Sequence, residues 1–229
     1  MASESFDRLL SFEASETSGS VSAILRRPEN AKWLYVLAHG AGAGMRHPFM
    51  EAIAQFLAER RIATFRYQFP YMEAGRRAPN PRPILLKTVR SAVTAASNAA
   101  PNLPLLAGGK SMGGRMTSLA ASETPLPNVS GLVFLGFPLH AVGKPSSERG
   151  DHLKATRLPM LFVQGTRDKL ADLALLEPLV GDIGPAATMH VIEEGDHSFH
   201  VPKRTGTNQT EVLASVAETI ADWAESLSL

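Results

Sequence analysis

Short, wholly apolar runs that end in glycine or small residues and alternate with helical patterns constrain this chain most. The clearest is Trp33–Ala38 (WLYVLA), followed at once by His39-Gly40-Ala41-Gly42-Ala43-Gly44. Six residues without a polar break do not suit a strand with one wet face. They suit a strand covered on both faces, as in a parallel sheet. Further short strand patterns, mostly apolar, stand at 21–25, 62–67, 103–107, 131–135, 160–164 and 188–192. Between them, Pro48 opens a helical pattern with Phe49, Ile53, Phe56 and Leu57 on one face. Leu85, Val89, Ala92, Val93 and Ala96 mark the next helix, and residues 116–121 and 170–179 carry two more. The last starts near Asn208, where Asn208 and Glu211 have capping-box spacing, and shows a stripe of Val212/Leu213, Val216, Ile220, Trp223 and Leu227. This alternation predicts an α/β fold, a mostly parallel central sheet with helices on both faces.

The four prolines at 70, 79, 81 and 83 predict an irregular, stiff loop. The polar first 20 residues predict a frayed lead-in or an edge strand. No repeat or linker interrupts the pattern, so 229 residues read as a single domain, 1–229. Only 24 residues separate Leu135 from Met160, which leaves room for a minimal cap or none.

Composition excludes several classes. The chain has no cysteine, so thiolate nucleophiles, disulfides and Cys-ligated metals are absent. Twenty-three Lys and Arg against 22 Asp and Glu give a net charge of +1, which argues against a nucleic-acid binder. No basic-then-apolar leader and no run near 18 apolar residues is present, so the expectation is a cytoplasmic protein without a membrane span.

In open α/β sheets, chemistry sits on loops leaving the carboxyl ends of strands. Three such loops carry reactive residues in order. Gly109-Lys110-Ser111-Met112-Gly113 is G-x-S-x-G between a strand and a helix, where glycines permit a sharp turn that presents the serine at a helix N-terminus. Gly165-Thr166-Arg167-Asp168 follows the next-to-last strand, and Gly195-Asp196-His197-Ser198-Phe199 follows the last. Ser111, Asp168 and His197 therefore stand in the order of a nucleophile, an orienting acid and a base. The glycine loop after Trp33–Ala38 suits an oxyanion hole, with the N–H groups of Ala41 and Met112 as donors.

Taken together, HGAGAG, GKSMGG, QGTRD and GDHSF resemble the α/β-hydrolases, and more narrowly the compact dienelactone-hydrolase-like set. Phe65-Arg66-Tyr67-Gln68-Phe69-Pro70 strengthens the narrower likeness, which covers about residues 20–227. The resemblance implies an α/β-hydrolase fold with a Ser–His–Asp triad, no cap domain and no cofactor. It names no substrate. Its eukaryotic members include subunits of chromatin-regulating complexes, so a non-catalytic binding or scaffold module is the alternative reading. Serine in place of the cysteine of dienelactone hydrolases proper argues against carrying over chlorinated-dienelactone chemistry.

Each residue has rivals. His200 competes with His197, and His190 falls inside a strand. Asp172 reads as a helix residue, Asp196, adjacent to His197, is expected to point to the opposite side, and His39 reads as a shaper of the glycine loop. Gly109-Lys110-Ser111 imitates a P-loop tail, but Pro104 stands where that motif needs glycine. Met45 breaks a dinucleotide fingerprint, and no H-E-x-x-H pair supports zinc. A local excess of Arg and Lys, with Lys110 and Arg115 flanking the serine, reads first as a solvated face, and in its sharper version as anion recognition by Arg66 and Arg115. The expected partner is thus a small-molecule ester, anionic in one version, with no nucleic acid or membrane, and the chain a monomer or homodimer. Hydrolysis is the leading reaction, with acyl transfer to another acceptor as its variant.

Overall fold

A computed structural model of the protein describes residues 7–227. The first six residues of the polar lead-in lie outside them. Eight strands form one sheet in the order β1-β2-β4-β3-β5-β6-β7-β8. They are β1 (Asp7–Ser15), β2 (Gly19–Arg26), β3 (Trp33–Ala38), β4 (Ile62–Tyr67), β5 (Leu105–Lys110), β6 (Val129–Leu135), β7 (Met160–Gly165) and β8 (Ala187–Ile192). β2 runs antiparallel to both β1 and β4, and every other neighbouring pair is parallel. The polar N-terminal stretch supplies edge strand β1.

The apolar runs have the expected cause. Along β3, Trp33, Tyr35 and Leu37 pack beneath α1 (Pro48–Glu59) and α6 (Gln209–Ser226). Leu34, Val36 and Ala38 face the opposite layer, with α3 (Arg82–Ala99) and α4 (Met112–Glu123). All six residues are buried, and each large side chain so covered contributes about 1.5–3 kcal/mol. α6 begins at the expected capping box, with Asn208 accepting from the Glu211 N–H and Glu211 reaching back to the Asn208 N–H.

Several boundaries differ from the sequence reading. β5 starts at Leu105 and continues through both glycines to Lys110, in a φ range open to glycine but not to side-chain-bearing residues. The proline-rich loop contains a single helical turn, α2 (Pro70–Glu73), and ends where α3 begins. α5 runs over Leu173–Ile183, so Asp172 lies outside it as an exposed N-cap that accepts from the Ala174 N–H. The stretch from 136 to 159 forms no cap domain. Its 3-10 segment Glu148–Ala155 lies against α4.

From β3 the chain passes to β4 on one side, then returns to β5 on the other. α1 and α4 consequently leave toward opposite faces, which opens a crevice between the loops after β3 and β5. The site lies there. Among the described residues no helix is long and apolar enough to cross a membrane.

Candidate active site

Ser111 occupies the turn between β5 and α4 with φ 51° and ψ −118°. That is a strained conformation for a residue with a Cβ, of the kind that persists where packing enforces it. The enforcement comes from close approach on both sides. A Cβ at Gly109 would lie 2.1 Å from the Ala38 carbonyl oxygen, and one at Gly113 would lie 2.5 Å from the same atom. Both glycines thus let the turn press onto the end of β3, and the serine is pushed outward.

The loops after β7 and β8 bring two partners to it. His197 Nε2 lies 2.8 Å from Ser111 Oγ, and His197 Nδ1 lies 2.7 Å from Asp168 Oδ2. With Nδ1–H donating to the carboxylate, Nε2 is left to accept the serine proton. The Asp168 side chain is fully buried and also accepts from Gln164 Nε2 (2.6 Å) and the Leu170 N–H (2.8 Å). Gln164 is held in turn by the Phe137 N–H, which donates to its Oε1 (2.9 Å). Gln164 stood within the QGTRD motif without a role. Its chemical signal is a polar side chain at the end of an otherwise apolar strand.

The rivals fall elsewhere. His200 is exposed, 3.4 Å from Asp196. Asp196 organises its own loop by accepting from the Ser198 and His200 N–H groups. Burial alone would raise its pKa, but those two N–H groups and His200 outweigh burial and hold it below the usual carboxylate range. His190 is half-buried on edge strand β8. A second serine–histidine contact joins Ser118 Oγ to His152 Nε2 at 2.7 Å. Ser118 is fully buried and its hydroxyl donates to the Arg115 carbonyl, so the pair clamps the 3-10 segment to α4 and offers no nucleophile.

The glycine loop after β3 stands beside the serine. A Cβ at Gly40 would lie 3.6 Å from Ser111 Cβ. The Gly42 N–H donates to Tyr71 Oη (2.9 Å) and the Ala43 N–H to the Gly40 carbonyl (3.2 Å). Among the described residues no acceptor takes the N–H of Ala41 or Met112. His39 braces this loop: its Nδ1–H donates to the Gly40 carbonyl (2.7 Å) and its Nε2 accepts from the Phe69 N–H (3.2 Å). Burial pushes its pKa down to about 4 and keeps it neutral. Unfolding would restore a proton acceptor near the usual 6.5. Below that pH the unfolded state takes up the proton first, so this histidine's contribution falls as pH drops toward 4, by about 3 kcal/mol in all. Melting temperature is therefore expected to decline from pH 6.5 to 4, and His39→Gln to flatten that decline. An unchanged slope in the variant would assign the acid sensitivity elsewhere.

A cleft of about 310 Å³ opens on Ser111 and His197, lined by Gly40, Ala41, Ala43, Phe49, Met50 and Leu170 among others. Arg66 does not reach it, which corrects the sequence expectation. Its side chain is fully buried on β4, paired with Asp7 of β1 (3.1 Å) and donating to the Met45 carbonyl (3.3 Å). The alternation of β4 turns it toward the α1 layer and away from Ser111. Arg115 does not line the cleft either. It lies one turn into α4, half-buried, with Nε unpartnered among the described residues. Burial and the charges of Arg149 and Arg82 lower its pKa. Among the described residues no three His, Asp or Glu side chains are grouped to hold a metal ion.

Comparison with known proteins agrees with this fold. A dienelactone hydrolase from Anabaena variabilis superposes with a TM-score of 0.79 at 19% identity, over 98% of this chain and 99% of that one. The esterase domain of a Rhodothermus marinus protein gives 0.73 at 17%, over 97% and 99%. A lidless serine hydrolase from Xanthomonas campestris gives 0.72 at 16%, over 95% and 94%. At these identities the likeness establishes the fold. The family described as alpha/beta hydrolase domain matches residues 31–225, spanning β3 to α6, and the chain belongs to that family.

Proposed function

We propose that the protein is a serine hydrolase that cleaves small esters through Ser111, His197 and Asp168. The observation that carries this reading is the continuous relay from Ser111 Oγ through both imidazole nitrogens to a buried carboxylate. Ser111 Oγ bonds to the acyl carbon while His197 Nε2 takes its proton. The imidazolium returns that proton to the leaving oxygen as the ester C–O bond breaks. Water then adds to the acyl-enzyme, giving its proton to His197, and the acid departs as Ser111 regains a proton. Asp168 keeps the imidazole in the required tautomer. The free N–H groups of Ala41 and Met112 hold the tetrahedral oxyanion, each worth about 10²–10³ in rate.

The cleft's size and its alanine, phenylalanine, methionine and leucine lining favour a short apolar acyl group. The deciding experiment is labelling with a fluorophosphonate probe, which reacts with activated serines. Wild type is expected to label, and failure of the folded protein to do so would favour a binding module.

Arg115 stands outside the cleft wall, with Arg82 and Arg149 near enough to lower its pKa, and this cationic cluster favours substrates whose leaving part extends beyond the cleft and carries a carboxylate or phosphate. Anionic esters are expected to exceed matched neutral ones in kcat/KM. Arg115→Met is expected to reduce that preference by about 1.5–3 kcal/mol, roughly ten- to a hundredfold. A ratio unchanged by the substitution would exclude the role.

A further inference from the structure

Lys110 immediately precedes the serine, yet its side chain is almost wholly enclosed, 7% exposed. It falls on the face of β5 that carries Leu106, toward α1 and α6. Its ammonium meets groups from α1, the end of β6 and the loop after β8. Nζ donates to the backbone carbonyl of His197 at 2.5 Å. It lies over the ring of Phe49 of α1 at 5.6 Å and over that of Phe199, in the loop after β8, at 5.7 Å. The end of β6 completes the enclosure: a Cβ at Gly136 would lie 2.9 Å from Nζ and 3.2 Å from the His197 carbonyl oxygen. Among the described residues no carboxylate pairs with it within salt-bridge distance. The titratable groups facing it are Asp168 after β7, Asp196 and His197 after β8, and His47, which lines the same cleft at the start of α1.

We propose that Lys110 is a positioning residue that latches the His197 loop to the strand bearing the nucleophile. The inference rests on the hydrolase reading for its catalytic consequence. The alternative anchor for a long loop is a backbone bond, and the His197 carbonyl takes this side chain instead. One ammonium thereby fixes the distance between the base and the serine through a contact on the base's own backbone. An ammonium is needed for the ring contacts as well as the strong hydrogen bond, because cation–π attraction and charge-assisted bonding both vanish with the charge.

Burial pushes the lysine down to about 8, with Asp168 and Asp196 opposing that shift. The latch is therefore charged at neutral pH and loses its charge as pH rises through about 8. Stability runs the other way. Between about 8 and the usual 10.5 the unfolded chain binds the proton more strongly, so this residue's contribution to stability rises with pH. A loss of reactivity in that window accompanied by no fall in melting temperature separates unlatching from unfolding.

The test follows fluorophosphonate labelling rates and hydrogen exchange of residues 195–201 from pH 7 to 10. It compares wild type, Lys110→Met, Lys110→Arg and Gly136→Ala. Wild type is expected to label more slowly above pH 8, with loop exchange, corrected for its intrinsic pH dependence, rising in step. Lys110→Met is expected to label about ten- to a hundredfold more slowly, as for a misplaced base, and with no alkaline fall. Lys110→Arg keeps its charge and is expected to lose the alkaline fall while retaining more of the rate than Met. Gly136→Ala presses on the same contact from β6 and is expected to open the loop with Lys110 intact. Loop protection in Lys110→Met equal to wild type at pH 7 overturns the latch, as does an alkaline fall that survives in that variant. A wild type that never labels overturns the hydrolase reading alone, because loop exchange still reports on the latch.

Discussion

Ser111→Ala is expected to lower ester turnover by about 10⁴- to 10⁶-fold and to abolish phosphonate labelling. The oxyanion donors and the cleft would supply what remains. Ser118, also bonded to a histidine, cannot take over, because it is buried on α4 against the 3-10 segment and away from the cleft. Stability should barely change, because alanine is as strained at φ 51° as serine. Ser111→Gly carries the argument further. It removes that strain, of order 1–3 kcal/mol, against the greater entropy glycine loses on folding. The glycine variant should therefore be inactive and melt no lower than wild type. Thermal melts beside turnover assays check both variants. Retained turnover in Ser111→Ala would remove the serine from the chemistry.

Asp168→Asn is expected to cost about 10⁴ in kcat, through tautomer choice rather than loss of shape. Every neighbour of this carboxylate is a donor: the Gln164 amide, the Leu170 N–H and His197 Nδ1–H. Gln164 cannot turn its oxygen inward without abandoning the Phe137 N–H. An asparagine must set its own N–H₂ against one of these donors. The easiest relief is for His197 to place its proton on Nε2, which then faces Ser111 and can no longer accept. Turnover should fall while phosphonate labelling slows by a similar factor. Gln164→Leu should lose less, since it removes one support and leaves the tautomer intact. Equal activity for Asp168→Asn and wild type would show that another group orients the histidine.

How much of this was written in the chain depends on how local each signal is. The wholly apolar six residues of β3 announce a strand covered on both faces, and Asn208 with Glu211 announces the start of α6, because both signals lie within one element. Ser111, Asp168 and His197 were legible because each follows a strand, and strand ends converge at one edge of a parallel sheet. Arg66 was misread for the opposite reason. Its burial depends on Asp7, 59 positions earlier, and nothing near Arg66 records that pairing. Lys110 looked like one of several surface cations, since the aromatic rings that enclose it come from α1 and from the loop after β8. The extension of β5 through two glycines was hidden because glycine ordinarily interrupts strands. Here the close approach to neighbouring backbone requires it.

The pairing of Arg66 with Asp7 also bears on what counts as a foldable unit. The family match begins at residue 31, at the threshold of β3. Cut there, the remaining chain would keep every residue of the proposed chemistry. It would also keep a guanidinium sealed inside the sheet layer with its counter-ion gone, and would expose the flank of β4 that β2 covers. A buried charge left without its partner typically destabilises by about 3–5 kcal/mol, a large share of what holds a domain together. The physical boundary of the domain therefore lies ahead of the one that sequence likeness draws. The N-terminal hairpin is the neutralising edge of the sheet, and a minimal catalytic fragment would have to include it.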